Sequence, residues 1–455
     1  MKNILMVAYY YPPKGGAGVQ RTTKFASYLK KFGYNVNVLT VKEEANGLTD
    51  KSLNKEIDPQ INVYRTDIKE TNLLSNLLAL RNKRSSKAVS NEESCSNIVV
   101  ETNSFNYKIK KNLKNLAKKY FLNTYNFIYV PDDKKGWLKY AVDEARKIIK
   151  EKDIDIIYTT SSPYTAHMIG YELRKEFSIK WIADFRDPWV ANAFVDYGYL
   201  TRKRHEGLES RIIKNADKII SVSQPIINEF LERYKNEEKS KFHVITNGYD
   251  EKDFCDLSLN ASEENDKFTI LHNGALYGEK RSPKKIFAAV QNLIDSNKIP
   301  KDNIKIKFLG EIGSEHKKVV DFYKSKYPNM IEHKNYVPHE ESLKAICRAN
   351  ALLLLIHEGR GTEGIYTGKI FEYIRAGKPI IALVPDGVAR ELILKTNTGF
   401  IAYPSKQDEI EESIYNAYCS FVSSNCSINP DWEEIYKYSR ENLTKQLTEA
   451  MSEIR

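Results

Sequence analysis

Short apolar runs rich in β-branched residues alternate along the chain with stretches of helical period. In the first half the runs are NILMVA, NVNVLT, DIIYTT, IKWIAD and KIISVS, starting at Asn3, Asn35, Asp155, Ile179 and Lys218. Helical patterns lie between them at Val19–Lys31, Gly136–Lys150 and Tyr164–Phe177. The second half repeats the theme with FTILHN, IKIKFLG, ALLLLI and PIIALV, and with helices beginning at about Pro283, Ser314, Glu340 and Thr367. Runs that are apolar at nearly every position have no face to give to water. They require parallel sheets covered by helices on both sides, so the fold class is α/β.

The alternation breaks at ITNGYDEKDF (Ile245 to Phe254) and the polar stretch LNASEENDK (Leu259 to Lys267). A chain of 455 residues exceeds the size of a single core, so two α/β halves are expected, 1–247 and 248–430. A last helical pattern, Trp432 to Ile454, makes 431–455 a C-terminal helix that packs back across both halves. One region interrupts the rhythm, a basic insertion at about 66–125. Residues 81–119 hold ten Lys/Arg against three acids. Ile109, Leu113, Leu116, Ala117 and Tyr120 fall on one helical face there, suited either to an anionic membrane surface or to the protein's own domain.

The +10 net charge favours anionic partners. No aromatic-interleaved or zinc pattern accompanies it, which argues against nucleic acid. Five cysteines, an odd number without C-x-x-C spacing, argue against a disulfide framework or zinc site and favour a reducing compartment. MKNILMVA is cut short as a signal peptide by the Tyr-Pro run after it, and no apolar run reaches the roughly 18 residues of a membrane span. The chain is expected to be cytoplasmic, or peripheral at the inner membrane face.

Two glycine-rich stretches carry the chemistry. The first, YYYPPKGGAGVQR (Tyr9 to Arg21), joins the first strand to a helix. It is not a dinucleotide fingerprint, because Arg21 stands where the third glycine belongs and VNVLTVK ends without an acid. A plain βα turn and a loop that admits an anionic or sugar ligand both remain. The second stretch is EGRGTEGIYTGKIFEYIRAGKPIIA, Glu358 to Ala382: strand, loop, a helix bearing Glu372, then Ala-Gly-Lys-Pro and another strand. A carboxylate accepts two hydroxyl hydrogen bonds, and helix-start amides suit phosphate.

This second stretch resembles the signature of the retaining glycosyltransferases of family 4, which have the GT-B fold of two Rossmann-like domains facing across a cleft. The resemblance implies that Glu372 holds the ribose hydroxyls of a nucleotide and Glu363 the donor sugar, with Thr367, Gly368 and Lys369 at the pyrophosphate. Eight residues separate Glu363 from Glu372, one more than the family's usual spacing. LHNGALYGEKRSPKK (Leu271 to Lys285) is similar to the loop that opens the family's second domain; Gly274-Ala275 lacks the usual arginine, and Arg281 fills the later basic position. YVPHEESLKAICRANALLLL places the backbone of Val337 to His339 at the nucleobase. By the same resemblance Gly15 and Gly16 lie near the transferred sugar. SSPYTAH (Ser161 to His167) and ADFRDPW (Ala183 to Trp189) supply the acceptor-side candidates His167, Asp184, Arg186 and Asp187. Arg186 paired to Asp184 or Asp187 as a structural bridge, and His167 as packing, are the competing readings.

Together these residues imply a transferase that moves a sugar from a UDP- or GDP-linked donor to a hydroxyl of a glycan or polyprenyl-diphosphate-linked saccharide, in cell-envelope polysaccharide biosynthesis. Arg281, Lys369 and Glu363 are the catalytic candidates. No metal and no cofactor beyond the nucleotide sugar are expected, since the one D-x-D, Asp153-Ile154-Asp155, precedes its strand. A GT-B nucleotide-sugar 2-epimerase and a catalytically degenerate donor-binding subunit are the alternatives.

Overall fold

A computed structural model describes residues 1–15, 17–43, 49–69, 124, 126–192, 195, 197–255, 267–276, 278, 282–423 and 428–454. The basic amphipathic stretch lies outside the described residues.

Two parallel sheets make the two lobes. Among the described residues the first has seven strands: β1 (Asn3–Val7), β2 (Asn35–Val41), β3 (Asn62–Thr66), β4 (Ile156–Ser161), β5 (Lys180–Phe185), β6 (Lys218–Ser221) and β7 (Phe242–Val244). Their order is β3-β2-β1-β4-β5-β6-β7. The second has six: β8 (Phe268–Asn273), β9 (Ile304–Leu309), β10 (Ile331–Lys334), β11 (Ala351–Leu355), β12 (Ile380–Leu383) and β13 (Gly399–Ala402), in the order β10-β9-β8-β11-β12-β13. In the register of the first sheet, Val7 of β1 stands between Leu39 of β2 and Thr159 of β4.

The period-2 alternation of a strand sends neighbouring residues to opposite faces. On β1, Leu5 and Val7 pack with Trp137, Ile148, Ile169 and Trp181 on one face. Ile4 and Met6 pack with Phe25, Leu29 and Tyr158 on the other. The second sheet is likewise covered twice, Ile270 and Ile306 facing one core and Leu271 and Leu309 the other.

The C-terminal pattern is not one helix but two, Trp432–Tyr436 and Arg440–Ser452. The break has a local cause. Ser439 caps the second helix by accepting from Asn442 N, and Arg440 N donates to Tyr249 O of the linker at 2.7 Å. This last helix belongs to the first lobe: Leu443, Leu447 and Met451 are buried with Ile4, Met6 and Ile182. Burial of three such side chains stabilises by about 1.5–3 kcal/mol each.

In open parallel sheets, ligands bind where the strand order reverses, outside the C-terminal strand ends. Here that point lies between β1 and β4 in one lobe and between β8 and β11 in the other. The segment after Val7 leads into the first glycine loop and the segment after Leu355 into the second, so the topology brings both to reversal points.

Candidate active site

The loop after β8 is shaped by two glycines packed backbone to backbone. Gly274 and Gly310 have φ of 123° and 132°, and a Cβ on Gly310 would lie 2.5 Å from the Gly274 carbonyl carbon. On its other side Gly274 is covered by Lys369, whose Nζ would stand 2.2 Å from a Cβ added there. Both positions therefore exclude side chains, for steric as well as conformational reasons. Lys369 reaches this place from the helix Gly368–Ala376, so the two phosphate-candidate segments meet at its ammonium.

Thr367 holds the N-cap position of that helix, yet its hydroxyl makes no cap hydrogen bond and its Oγ1 is buried without a partner. An uncommitted hydroxyl at a helix start beside a lysine has the chemistry to accept an anion. One turn further, Glu372 Oε1 accepts a hydrogen bond from His339 Nε2 at 2.9 Å. His339 opens the helix His339–Arg348. Burial disfavours its charged form, but Glu372, with help from Asp253 and Glu56, outweighs burial and raises its pKa to about 9. Val337, two residues earlier, is buried in the same turn.

Glu363 lies on the rim. Its side chain is exposed, while its carbonyl accepts from Val388 N at 2.9 Å and its backbone rests on Gly387, where a Cβ would come within 2.5 Å. The adjacent Gly364 carbonyl accepts from Ser223 Oγ of the first lobe at 2.9 Å. A second bond, Tyr336 OH to Asp50 Oδ2 at 3.2 Å, also spans the lobes. Arg281 and Gly16 lie outside the described residues, and Gly15 is half-buried.

The acceptor-side candidates divide. Asp184 is fully buried and committed: it accepts from Arg21 at 2.8 and 3.0 Å, from Tyr158 OH at 2.6 Å and from Thr160 Oγ1 at 2.8 Å. Burial pushes its pKa up, but Arg21 and these bonds hold it below the ordinary value. Arg21 also donates to Ile245 O and Thr246 O, so this pair ties the sheet to the start of the linker. Arg186 pairs with neither aspartate. It donates to three carbonyls, of Ser161, Ser162 and Gly18, and a Cβ on Gly18 would sit 3.0 Å from its Nη1. The third glycine of the first loop thus makes room for a protein guanidinium. Asp187 is exposed and accepts from Ser162 Oγ at 3.3 Å. His167 is a core residue, fully buried against Phe185 with Nδ1 on Thr159 Oγ1; burial lowers its pKa to about 3.

Several residues near the crevice went unassigned in the sequence. Lys24 bridges Asp250, Asp253 and Glu56 at 2.9, 2.7 and 3.3 Å. Arg440 is buried with its Nη1 unpartnered, and burial together with Arg21 lowers its pKa to about 9. Among the described residues no three or more His, Cys, Asp or Glu side chains are grouped to hold a metal. No helix among them is long and apolar enough to cross a membrane.

Residues 111–253 match the sequence model described as Glycosyltransferase Family 4. No curated protein matches the chain. Solved structures match it nearly end to end. Sucrose-phosphate synthase from Thermosynechococcus elongatus shares 14% identity and a TM-score of 0.64, over 99% of this chain and 98% of that one. The fold is GT-B. The Anabaena protein Alr3699/HepE, solved in complex with UDP-glucose, shares this GT-B fold at 13% identity and a TM-score of 0.61, over 99% and 100% of the two chains. UDP-GlcNAc 2-epimerase from Methanocaldococcus jannaschii does so at 11% identity and a TM-score of 0.50, over 99% of both.

Proposed function

We propose that the chain is a metal-independent retaining glycosyltransferase that takes a sugar from a nucleoside-diphosphate donor. The observation that carries this reading is the position of Lys369 over Gly274, beside the uncommitted Thr367 hydroxyl and one turn before Glu372. A cation, a helix start and a carboxylate in that succession match pyrophosphate followed by ribose. Negative charge develops on the departing β-phosphate, and Lys369 with Arg281 stabilises it. The sugar–phosphate bond breaks, the acceptor oxygen bonds to the anomeric carbon on the same face, and the phosphate oxygen takes the hydroxyl proton. Glu363 contacts the sugar from the rim.

Incubation with UDP- and GDP-sugars tests this. Slow release of the nucleoside diphosphate with a sugar of retained anomeric configuration supports the transferase. Free 2-epimer establishes the epimerase, a reading supported by the fold shared with UDP-GlcNAc 2-epimerases such as the archaeal enzyme. Binding without turnover leaves a donor-binding subunit.

The acceptor is read as a hydroxyl of a glycan or polyprenyl-diphosphate-linked saccharide at the inner face of the membrane, in envelope polysaccharide synthesis. Support comes from the net charge of +10, the basic stretch 81–119 and a rim on the first lobe. There Phe127, Ile128, Tyr199 and Leu200 are exposed, and the Arg204 guanidinium lies 4.6 Å from the Phe127 ring centre. Aromatic and aliphatic side chains interleaved with arginine suit an anionic lipid surface. Retention on anionic but not neutral liposomes at low salt is the expected result; no retention on either removes the membrane from the reading.

A further inference from the structure

We propose that His339 is a positioning residue for nucleotide recognition, holding one oxygen of the Glu372 carboxylate so that the other is presented to the ribose hydroxyls. This rests on the reading of Glu372 as the nucleoside contact. The two residues come from separate crossovers of the second sheet, His339 from the helix between β10 and β11 and Glu372 from the helix between β11 and β12. Their 2.9 Å bond ties those helices together at the crevice. The side chains are 25% and 21% exposed, sheltered enough for the bond to be strong and open enough for a ligand to reach them.

A glutamate on a helix surface samples several rotamers, and fixing it on a ligand has an entropic cost. The imidazole removes that cost in advance, which is preorganisation. A carboxylate has about four acceptor positions, so a single donor on Oε1 leaves Oε2 uncommitted for a pair of adjacent hydroxyls.

The ring is held as a cation by its surroundings. Glu372 faces it from the neighbouring helix, Asp253 from the linker and Glu56 from the first lobe. Lys24 offsets the last two through its bridges to them. On the far side Arg440 and Tyr373 sense the Glu372 charge. Loss of the imidazolium proton therefore removes the charge-assisted part of the bond and loosens the carboxylate. Glutamine at the same position keeps an N–H donor but has no proton to lose.

Calorimetric titration of the full chain with UDP and with GDP, from pH 6 to 10, tests the assignment in the wild type, His339→Gln and His339→Ala. The expected result is constant wild-type affinity to about pH 8, then a fall across pH 9 that His339→Gln does not share. Ionisation of the base is common to both proteins and cancels in their ratio. His339→Ala should bind about tenfold more weakly at pH 7, with unchanged thermal unfolding as the check on folding. Equal affinities, or parallel pH profiles for wild type and His339→Gln, overturn the proposal. A ligand-free measurement separates it from the donor-site reading. In an NMR titration of the eight histidines, one resonance absent from His339→Gln should titrate near pH 9 and move down in Glu372→Gln. That signature without any nucleotide binding overturns the donor-site reading while the ion pair stands. Nucleotide binding that ignores position 339 overturns the positioning role alone.

Discussion

The ammonium of Lys369 lies over Gly274, in space that any side chain at 274 would take. Gly274→Ala should therefore act on Lys369 as well as on its own backbone. A φ of 123° carries strain of about 1–3 kcal/mol for a residue with a Cβ. The expected outcome is a fold that survives with lowered thermal stability and a nucleotide affinity reduced at least tenfold, by calorimetry. Lys369→Ala should reproduce the affinity loss without the stability loss, and should lower turnover by about a hundredfold if leaving-group charge is its role.

The His339–Glu372 pair also makes a stability prediction with a defined sign. The histidine pKa is raised to about 9 from 6.5, so its contribution is complete below pH 6.5 and disappears as pH rises through 9. The bound on that contribution is about 3 kcal/mol. Urea unfolding of wild type and His339→Gln should therefore differ most at pH 6 and converge by pH 9.5. A difference that grows with pH would contradict the assignment.

Asp184→Ala should be among the most destabilising single changes in the first lobe. It leaves the Arg21 guanidinium buried without its carboxylate, a loss of about 3–5 kcal/mol. Tyr158 and Thr160 lose their acceptor as well. Thermal unfolding measures the effect. A fully stable Asp184→Ala protein would mean that the pair is not what anchors the sheet to the linker.

Ser223 and Gly364 hold the lobes together across the crevice through one hydrogen bond. Such a bond contributes about 0.5–1.5 kcal/mol, a two- to tenfold change in the closed population. Ser223→Ala should speed amide hydrogen exchange around residues 363–366 and leave exchange in β8 and β11 unchanged. Identical exchange in the loop would show that the contact does not govern closure.

The interior of each sheet was legible from sequence and its borders were not. The nine strands read from apolar runs are all present, and the four left unread, β3, β7, β10 and β13, are the outermost strands of the two sheets. An edge strand is covered less completely, so its sequence need not be apolar throughout. YRT in β3 and EHK in β10 show this. The second glycine stretch was readable because its strand, loop and helix are contiguous. Asp184 was misleading for a geometric reason. It lies near the C-terminal end of β5, the ligand edge, but its side chain is fully buried against Arg21 of the covering helix Ala17–Lys31, a residue 163 positions away. The contacts of His339 and Arg186 also depend on partners that only the packed fold brings near.

The return of the last helix to the lobe where the chain began has a practical corollary for dissection and domain exchange. Cutting after residue 247 would strip Leu443, Leu447 and Met451 from the face built on Ile4 and Met6 and leave that face bare to solvent. A chimera that borrows its second lobe from another protein must therefore keep Arg440–Ser452 as native sequence, so that the boundary between lobes is two junctions rather than one.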